Sequence, residues 1–168
     1  MKKRRSSLKQ FFSKITFGIL VLFILIYNPI SARIMTIITA KTHDLDTELF
    51  YRLIAAESSF RALSYSRKQA IGLGQVQDKT AQYIYPQYIK GMLWFPPTNL
   101  HIAALYFRYL LNRYNQNTSL ALAAYNWGES NVDRKLRDEG IIIDPEYNYH
   151  SLFENIPETY HFLPKVIE

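Results

Sequence analysis

The feature that most constrains this chain is an uncharged, strongly apolar stretch near its N-terminus. No charged residue occurs between Lys14 and Arg33, and nearly every position from Ile15 to Tyr27 is apolar. As an α-helix, which rises about 1.5 Å per residue, the uncharged stretch is roughly 27 Å long, close to the thickness of a bilayer core. The stretch therefore predicts a membrane anchor or a secretory signal.

The anchor and the signal are both compatible with this stretch, and both export the remainder of the chain. In the signal interpretation, Pro29 breaks the helix and Ile30-Ser31-Ala32 is an imperfect cleavage site. We favour a retained anchor, because Ile30 fits the small-residue preference of such sites poorly. Residues 1–33 are then a basic cytoplasmic tail with a transmembrane segment, and residues 34–168 are one exported domain.

The net charge of +6 is concentrated in the N-terminal tail. The other 14 of the 20 basic residues are balanced by the 14 acidic residues. A groove that follows phosphates is basic within the fold itself, so we expect no nucleic-acid partner. The tail's six positive charges belong to Lys2, Lys3, Arg4, Arg5, Lys9 and Lys14.

Residues that commonly bind metals or cofactors are sparse. The chain has no cysteine, which excludes disulfides, thiolate metal sites and a thiol nucleophile. Its four histidines, at positions 43, 101, 150 and 161, show no paired ligand spacing. We therefore expect no metal and no cofactor.

The exported part has the periodicity of a mainly α domain. Leu49, Phe50, Leu53 and Ile54 repeat at helical spacing behind Asp44 and Asp46, which can cap a helix. We expect Arg33–His43 to be a connector, Pro96-Pro97 a break, and strands at most short, near Gly72 and Ile141. Further helices are predicted at 78–85, with Asp78 as its cap, at 99–114, 119–125 and 129–139, and from Pro157 onward.

Glu57 is the most informative single residue. It lies four residues beyond Leu53 and three beyond Ile54, so it continues the apolar face at the C-terminal end of its helix. Burial and the negative end of the helix dipole both disfavour the carboxylate and raise its pKa, which suits a general acid. The alternative is a glutamate that faces solvent or pairs with Arg52 or Arg61.

Four motifs surround this glutamate in a characteristic order. They are Glu57-Ser58-Ser59-Phe60 with Ser66 and Ala70 before Gly72-Leu73-Gly74-Gln75-Val76, then Asn99-Leu100 with Ala103-Ala104, then Ala123-Ala124-Tyr125-Asn126-x-Gly128, and finally Glu158-Thr159. The series resembles the lytic transglycosylase domain related to goose-type lysozyme, and it spans about residues 45–166. The resemblance implies a lysozyme-like α domain with at most a very short β element.

The resemblance also implies an activity. Members of this family cleave the β-1,4 bond between N-acetylmuramic acid and N-acetylglucosamine without water and leave a 1,6-anhydromuramic end. One glutamate acts first as acid and then as base, so the second carboxylate of ordinary glycosidases is not required. The expected partners are peptidoglycan strands and the bacterial inner membrane, with the domain on the periplasmic face. Secretion or divisome components that span the cell wall are further candidate partners.

The motifs assign roles to individual residues. Glu57 is the catalytic residue, and Ser58, Gln75, Tyr125 and Asn126 are expected to bind substrate. Gly72, Gly74 and Phe162 are expected to shape the cleft.

Two of the cleft-shaping positions depart from the family pattern. Relatives commonly have Met at position 74 and Tyr at position 162, so Phe162 removes a hydroxyl unless Tyr160 replaces it. These departures leave two alternatives open, a peptidoglycan-binding scaffold that has lost catalysis and a hydrolytic lysozyme.

Overall fold

The computed structural model describes the backbone of residues 2–167 and the side chains of residues 13–167. The side chains of the predicted cytoplasmic tail before Ser13 therefore lie outside the described part. The described chain is mainly α-helical, as the sequence predicted. Its helices are α1 (Lys2–Tyr27), α2 (Pro29–Thr42), α3 (Thr47–Ser58), α4 (Asp78–Ile84), α5 (Pro96–Arg113), α6 (Thr118–Trp127), α7 (Glu129–Asp138) and α8 (Pro157–Ile167), with 3₁₀ turns at Met92–Trp94 and His150–Phe153.

Helix α2 corrects the prediction of a connector over Arg33–His43, while the predicted break at Pro29 is confirmed, because α1 ends at Tyr27 and α2 begins at Pro29 with a bend of 60°. The Asn28 side chain accepts a hydrogen bond from the Ser31 amide at 2.9 Å, and Pro29 occupies the first turn, where its missing N–H is tolerated. The inward face of α2 is buried against α3 and α5 through Ala32, Thr36 and Ala40. The predicted boundary between residues 33 and 34 therefore falls inside a helix that packs onto the folded body.

The N-terminal helices bear on the predicted membrane anchor. Within the described residues, no single helix is both long and apolar enough to cross a bilayer. The segments Ser13–Tyr27 and Pro29–Thr42, which meet at a bend of 60°, satisfy the length and composition criteria only as a pair.

Helix α6 lies at the centre of the fold and packs against α5, α7 and α8. Six successive residues, from Ser119 to Ala124, are buried, so the helix has no solvent-facing side over this span. Three of the six are alanines, which allow neighbouring helices to approach closely. Asn117 caps the helix by accepting a hydrogen bond from the Leu120 amide at 2.9 Å. The C-terminal turn of α6, which carries Tyr125, is consequently held in place by the packing of the buried residues before it.

The segment between α3 and α4 is a loop stabilised by Asn99, a fully buried residue of α5. The Asn99 side-chain oxygen accepts from the Gly74 amide at 2.8 Å, and its amide group donates to the carbonyls of Ile71 at 2.8 Å and Leu93 at 2.9 Å. Gly72 has a φ of +75°, and any Cβ there would collide with the Asn99 amide. One side chain therefore holds the glycine loop and the 3₁₀ turn against α5.

Three local predictions around this loop need correction. Helix α5 begins at Pro96 and not at Asn99, because prolines are well suited to a first turn. Asp78 does not cap α4; it lies inside the helix, and its carboxylate accepts a hydrogen bond from Tyr88. In the described residues the predicted short strand near Gly72 is reduced to two isolated bridges that join Ile71 to its neighbours along the loop, and none forms at Ile141.

Replacing Asn99 tests how much the loop depends on this one side chain. Asn99→Ala removes three buried hydrogen bonds and leaves their backbone partners unsatisfied, so we expect it to lower the free energy of unfolding by about 3 kcal/mol. Asn112→Ala on the exposed side of the same helix, where the side chain bonds only Gln116, should cost about 0.5 kcal/mol or less. Urea unfolding of both variants measures the difference, and equal losses would show that the loop holds without Asn99.

Candidate active site

Helix α3 fixes the position of Glu57. Its first turn is capped by Asp46, whose carboxylate accepts from the Leu49 amide at 2.7 Å. Its last turn ends at Ser59, a residue in the left-handed conformation whose amide bonds the Ala55 carbonyl at 2.8 Å. Phe50, Leu53 and Ile54 are fully buried, as predicted, and they set the rotation of the helix. Glu57 consequently points from the rim of the core into a groove.

The groove consists of two cavities that share Glu57. The first has a volume of about 520 Å³ and the second about 540 Å³. Ser66 and Gln75 line both cavities together with Glu57. A carboxyl at the junction of two such spaces can reach a bond whose two sides occupy different cavities.

The Glu57 carboxyl is poised in its protonated form. Its pKa is raised to about 8, chiefly by burial and secondly by the negative charge of Glu158, while Lys68 opposes the shift. Among residues 13–167, no group is hydrogen-bonded to this carboxyl. A neutral carboxyl without an internal partner can donate its proton to a molecule in the groove.

Three of the predicted substrate-binding residues line the first cavity. Gln75 donates its amide to the Gly72 carbonyl at 2.9 Å, which leaves its side-chain oxygen as an acceptor. The Asn126 oxygen accepts from the Thr159 hydroxyl at 2.9 Å, which leaves the Asn126 amide as a donor. The Tyr125 hydroxyl donates to the Gly74 carbonyl at 2.7 Å and not to Glu57. Together Gln75 and Asn126 present one acceptor and one donor to the cavity, and the Tyr125 ring, which packs against Tyr106 and Phe107, forms part of its wall.

The other predicted site residues lie behind the groove. Ser58 is buried, and its hydroxyl donates to the Ile54 carbonyl at 3.2 Å, so it faces neither Glu57 nor the cavities. Gly72, Gly74 and Phe162 are buried and do not line either cavity. A Cβ at position 74 would lie 2.5 Å from the Ala103 Cβ, so glycine is needed there for close packing on α5.

Tyr160 does not supply the hydroxyl that Phe162 lacks. Its ring stacks on His150 at a centroid distance of 4.2 Å and does not line the first cavity. The carboxyl of Glu57 therefore has no tyrosine hydroxyl bonded to it among the described residues. Its pKa depends on burial and on charged neighbours.

An ion pair across the first cavity was not predicted from the sequence. Lys68, in the loop, donates to Glu158, at the start of α8, with the two atoms 2.6 Å apart. Both line the cavity with Glu57, although 90 positions separate them in the chain. Glu158 belongs to a recognised motif and could have been suspected, whereas nothing in the sequence distinguishes Lys68 from other surface lysines. Tyr106, in the helix predicted at 99–114, also lines this cavity.

Two histidines that are distant in sequence meet in the fold. His43 Nε2 lies 2.9 Å from His101 Nδ1, and burial lowers the pKa of His43. The sequence showed no paired spacing because one histidine follows α2 and the other lies in α5. Within residues 13–167, no group of three or more His, Cys, Asp or Glu side chains is placed to hold a metal ion.

A mainly α-helical body with a buried, protonated carboxyl in an extended groove is the arrangement expected of the lysozyme-like class. More specifically, residues 35–146 match the family described as the transglycosylase SLT domain. The match covers more than half of the chain, which therefore belongs to this family.

Two solved structures share the fold. The lytic transglycosylase Slt from Pseudomonas aeruginosa, determined as an inactive mutant, is 24% identical, with a TM-score of 0.70 over 85% of this chain. The 70 kDa soluble lytic transglycosylase Slt70 from Escherichia coli is 23% identical, with a TM-score of 0.68 over 79% of this chain. This chain spans only 24% and 22% of the lengths of those proteins. At these identities the likeness concerns the fold.

The Lys68–Glu158 pair gives a test of the site's electrostatics that does not depend on catalysis. Lys68→Met removes a charge that favours the ionised carboxyl, so the pKa of Glu57 should rise. Glu158→Gln removes a charge that disfavours it, so the pKa should fall. We expect changes of roughly half a pH unit, because both groups are solvent-exposed and screened. An NMR titration of the Glu57 carboxyl measures them.

Lys135→Met is the matched control for this titration, because Lys135, on α7, pairs with Glu139 just after that helix and does not line the groove. The pKa of Glu57 should be unchanged in this variant. Shifts of the same sign in the Lys68 and Glu158 variants would contradict the charge assignment.

Proposed function

We propose that this protein is a peptidoglycan lytic transglycosylase in which Glu57 is the acid and then the base. The observation that carries the proposal is the Glu57 carboxyl itself: it lies where two cavities meet, has no hydrogen-bond partner among the described residues, and has a pKa raised to about 8. Membership in the transglycosylase SLT family supports the same reaction.

The proposed reaction is balanced without the participation of a water molecule. Glu57 gives its proton to the oxygen that links N-acetylmuramic acid to N-acetylglucosamine, and the bond from that oxygen to the muramic C1 breaks. The muramic 2-acetamido group stabilises the positive charge at C1. The Glu57 carboxylate then takes the proton of the muramic 6-hydroxyl as O6 bonds to C1. The products are a free 4-hydroxyl on one sugar and a 1,6-anhydro ring on the other, and Glu57 is protonated again.

Glu158 does not act as a second catalytic carboxylate in this proposal. A retaining glycosidase needs a carboxylate that attacks C1, and an inverting one needs a carboxylate that activates water. Glu158 is an exposed residue whose carboxylate pairs with Lys68, which ties it to the loop. Its role is to keep the proton on Glu57 by charge repulsion.

Neighbouring side chains orient the glycan strand. The free acceptor of Gln75 suits an acetamido N–H or a hydroxyl, and the free donor of Asn126 suits an acetamido carbonyl. Tyr125 positions the strand through its ring and holds the glycine loop through Gly74. We propose that these contacts place the scissile oxygen at the junction of the cavities.

We further propose that α1 anchors the protein in the bacterial inner membrane, with the domain on the periplasmic face. The apolar side chains from Ile15 to Leu25 are largely exposed, which is unfavourable in water. The alternative signal cleavage site, Ile30-Ser31-Ala32, lies inside α2, where Ala32 is buried. Helical structure and burial at that position favour a retained anchor over a cleaved signal.

Replacing Glu57 with Gln removes the proton donor while keeping the side chain's shape. We expect Glu57→Gln to lower the cleavage rate of purified peptidoglycan by at least about 10³-fold, since acid and base catalysis are both lost. The control is Glu48→Gln on the same helix, which breaks only an exposed pair with Arg52 and should keep full activity. Unchanged cleavage by the Glu57 variant would refute the enzyme proposal.

Mass analysis of the released muropeptides distinguishes the reaction types. Anhydro ends weigh one water less than reducing ends, and we expect anhydro ends alone. Reducing ends would identify a hydrolytic lysozyme. No release by the native chain would identify a peptidoglycan-binding scaffold.

The pH dependence follows from the raised pKa of Glu57. The protonated carboxyl is the active form, so kcat/KM should stay high below pH 8 and fall tenfold per pH unit above it. A carboxyl with an ordinary pKa near 4.5 would already be ionised at neutral pH. An alkaline limb that lies near pH 5 in an otherwise active enzyme would show that burial does not hold the proton.

A further inference from the structure

The large apolar side chains of α2 face outward and not toward the core. On most surface helices the apolar side faces the core, but the buried face of α2 carries small residues. Its outward face carries isoleucines whose exposed fractions are 67% for Ile30, 54% for Ile34, 37% for Ile37 and 55% for Ile38. At 100° per residue these four side chains lie within about a third of a turn of the helix surface. The domain therefore displays a continuous aliphatic stripe.

The charged residues of α2 itself have one sign. Helix α2 contains no acidic residue, and the first acidic residue of the chain is Asp44. Its basic residues are Arg33, whose guanidinium lies 5.2 Å from the centre of the Phe60 ring, and Lys41 in the last turn. An apolar helix face bordered by basic residues is complementary to the interface of a membrane that contains anionic lipids.

Aromatic residues lie at the end of α1, just before Ile30 begins the stripe. The Tyr27 hydroxyl donates to the Trp94 carbonyl at 3.1 Å, which attaches this end of α1 to the domain. Trp94 and Phe95 are themselves exposed. Tyrosine and tryptophan concentrate at the boundary between lipid and water, so this cluster marks the depth at which α1 leaves the bilayer.

The length of α1 and the bend after it are consistent with α2 lying on the membrane. The uncharged part of α1, Ile15–Tyr27, is roughly 20 Å long as a helix, about 10 Å shorter than a bilayer core. The next apolar residues belong to α2, at a bend of 60°. With α1 along the bilayer normal, which uses its full length, the bend of 60° leaves α2 inclined by about 30° to the membrane plane. A helix as short as α1 is accommodated by local thinning of the bilayer.

We propose that the isoleucine face of α2 is embedded in the lipid headgroup region and docks the catalytic domain directly onto the membrane. This inference rests on the proposed anchoring by α1 and is independent of the proposed chemistry. The Tyr65 ring, 5.9 Å from Trp94 between ring centres, lines the second cavity. One end of the groove consequently lies beside the membrane surface, where it can take glycan strands close to the bilayer.

The absence of native cysteine allows a direct test on the full chain. Spin labels are attached at Ile34→Cys and Ile38→Cys, and at Ile142→Cys as the control, since Ile142 is an apolar residue that is 92% exposed after α7. The chains are reconstituted in vesicles of phosphatidylethanolamine with a minority of phosphatidylglycerol. Circular dichroism and retention after a carbonate wash verify folding and insertion.

Collision with oxygen and with a water-soluble nickel complex reports each label's surroundings. We expect the labels at 34 and 38 to collide several-fold more with oxygen than with nickel, and the label at 142 to show the reverse. Labels at 34 and 38 that behave like the label at 142 would overturn the docking while leaving the anchor intact. Release of the chain by carbonate would overturn both, and muropeptide production would still test the chemistry separately.

Protection of both labels from both reagents would also overturn the proposal, because a protein would then cover the stripe. Dipolar broadening between labels would identify that protein as a second copy of this chain.

The two native tryptophans provide an independent measurement. In Trp127→Phe, brominated lipids should quench Trp94, whereas in Trp94→Phe they should not quench Trp127, which lies in the groove. Equal quenching would count against docking through this face.

Discussion

The buried Asn99 side chain is the interaction on which the groove most depends. Its hydrogen bonds hold Ile71, Gly74 and Leu93 against α5. The Gly74 carbonyl in turn accepts a hydrogen bond from the Tyr125 hydroxyl of α6. The loop and the end of the central helix are therefore fixed relative to each other. Glu57, on α3, lines the groove beside Gln75 and Tyr125. A rigid groove therefore arises because one polar side chain satisfies backbone groups that would otherwise be buried without partners.

The protonation of Glu57 depends on a balance between burial and neighbouring charges. Burial is the largest contribution to its raised pKa, and the Lys68–Glu158 pair adds two opposing ones. Since that pair is exposed, its contribution should weaken with salt, whereas the effect of burial should persist. The packing of α3 therefore sets the main shift, and the ion pair is a finer adjustment that a bound strand could alter by displacing Lys68.

Packing also explains the family departure at position 74. A methionine there would collide with Ala103 and crowd the Tyr125 hydroxyl, so glycine and a close helix contact belong together in this chain. Phe162 has a different consequence, because no tyrosine hydroxyl among the described residues reaches the Glu57 carboxyl and Tyr160 stacks on His150 instead. The Glu57 carboxyl thus lacks the supporting hydrogen bond that the resemblance implied.

The sequence alone determined the mainly α class, the buried face of α3 and the place of Glu57 on it, because helical periodicity and order of motifs are local properties. It placed the break at Pro29 but could not identify α2 beyond it, since a segment after a proline resembles a connector until its small inward residues meet α3 and α5. Nor could it place Ser58 behind the groove or pair Lys68 with Glu158. Those outcomes depend on which residues meet across the fold, and only the tertiary packing of distant segments decides that.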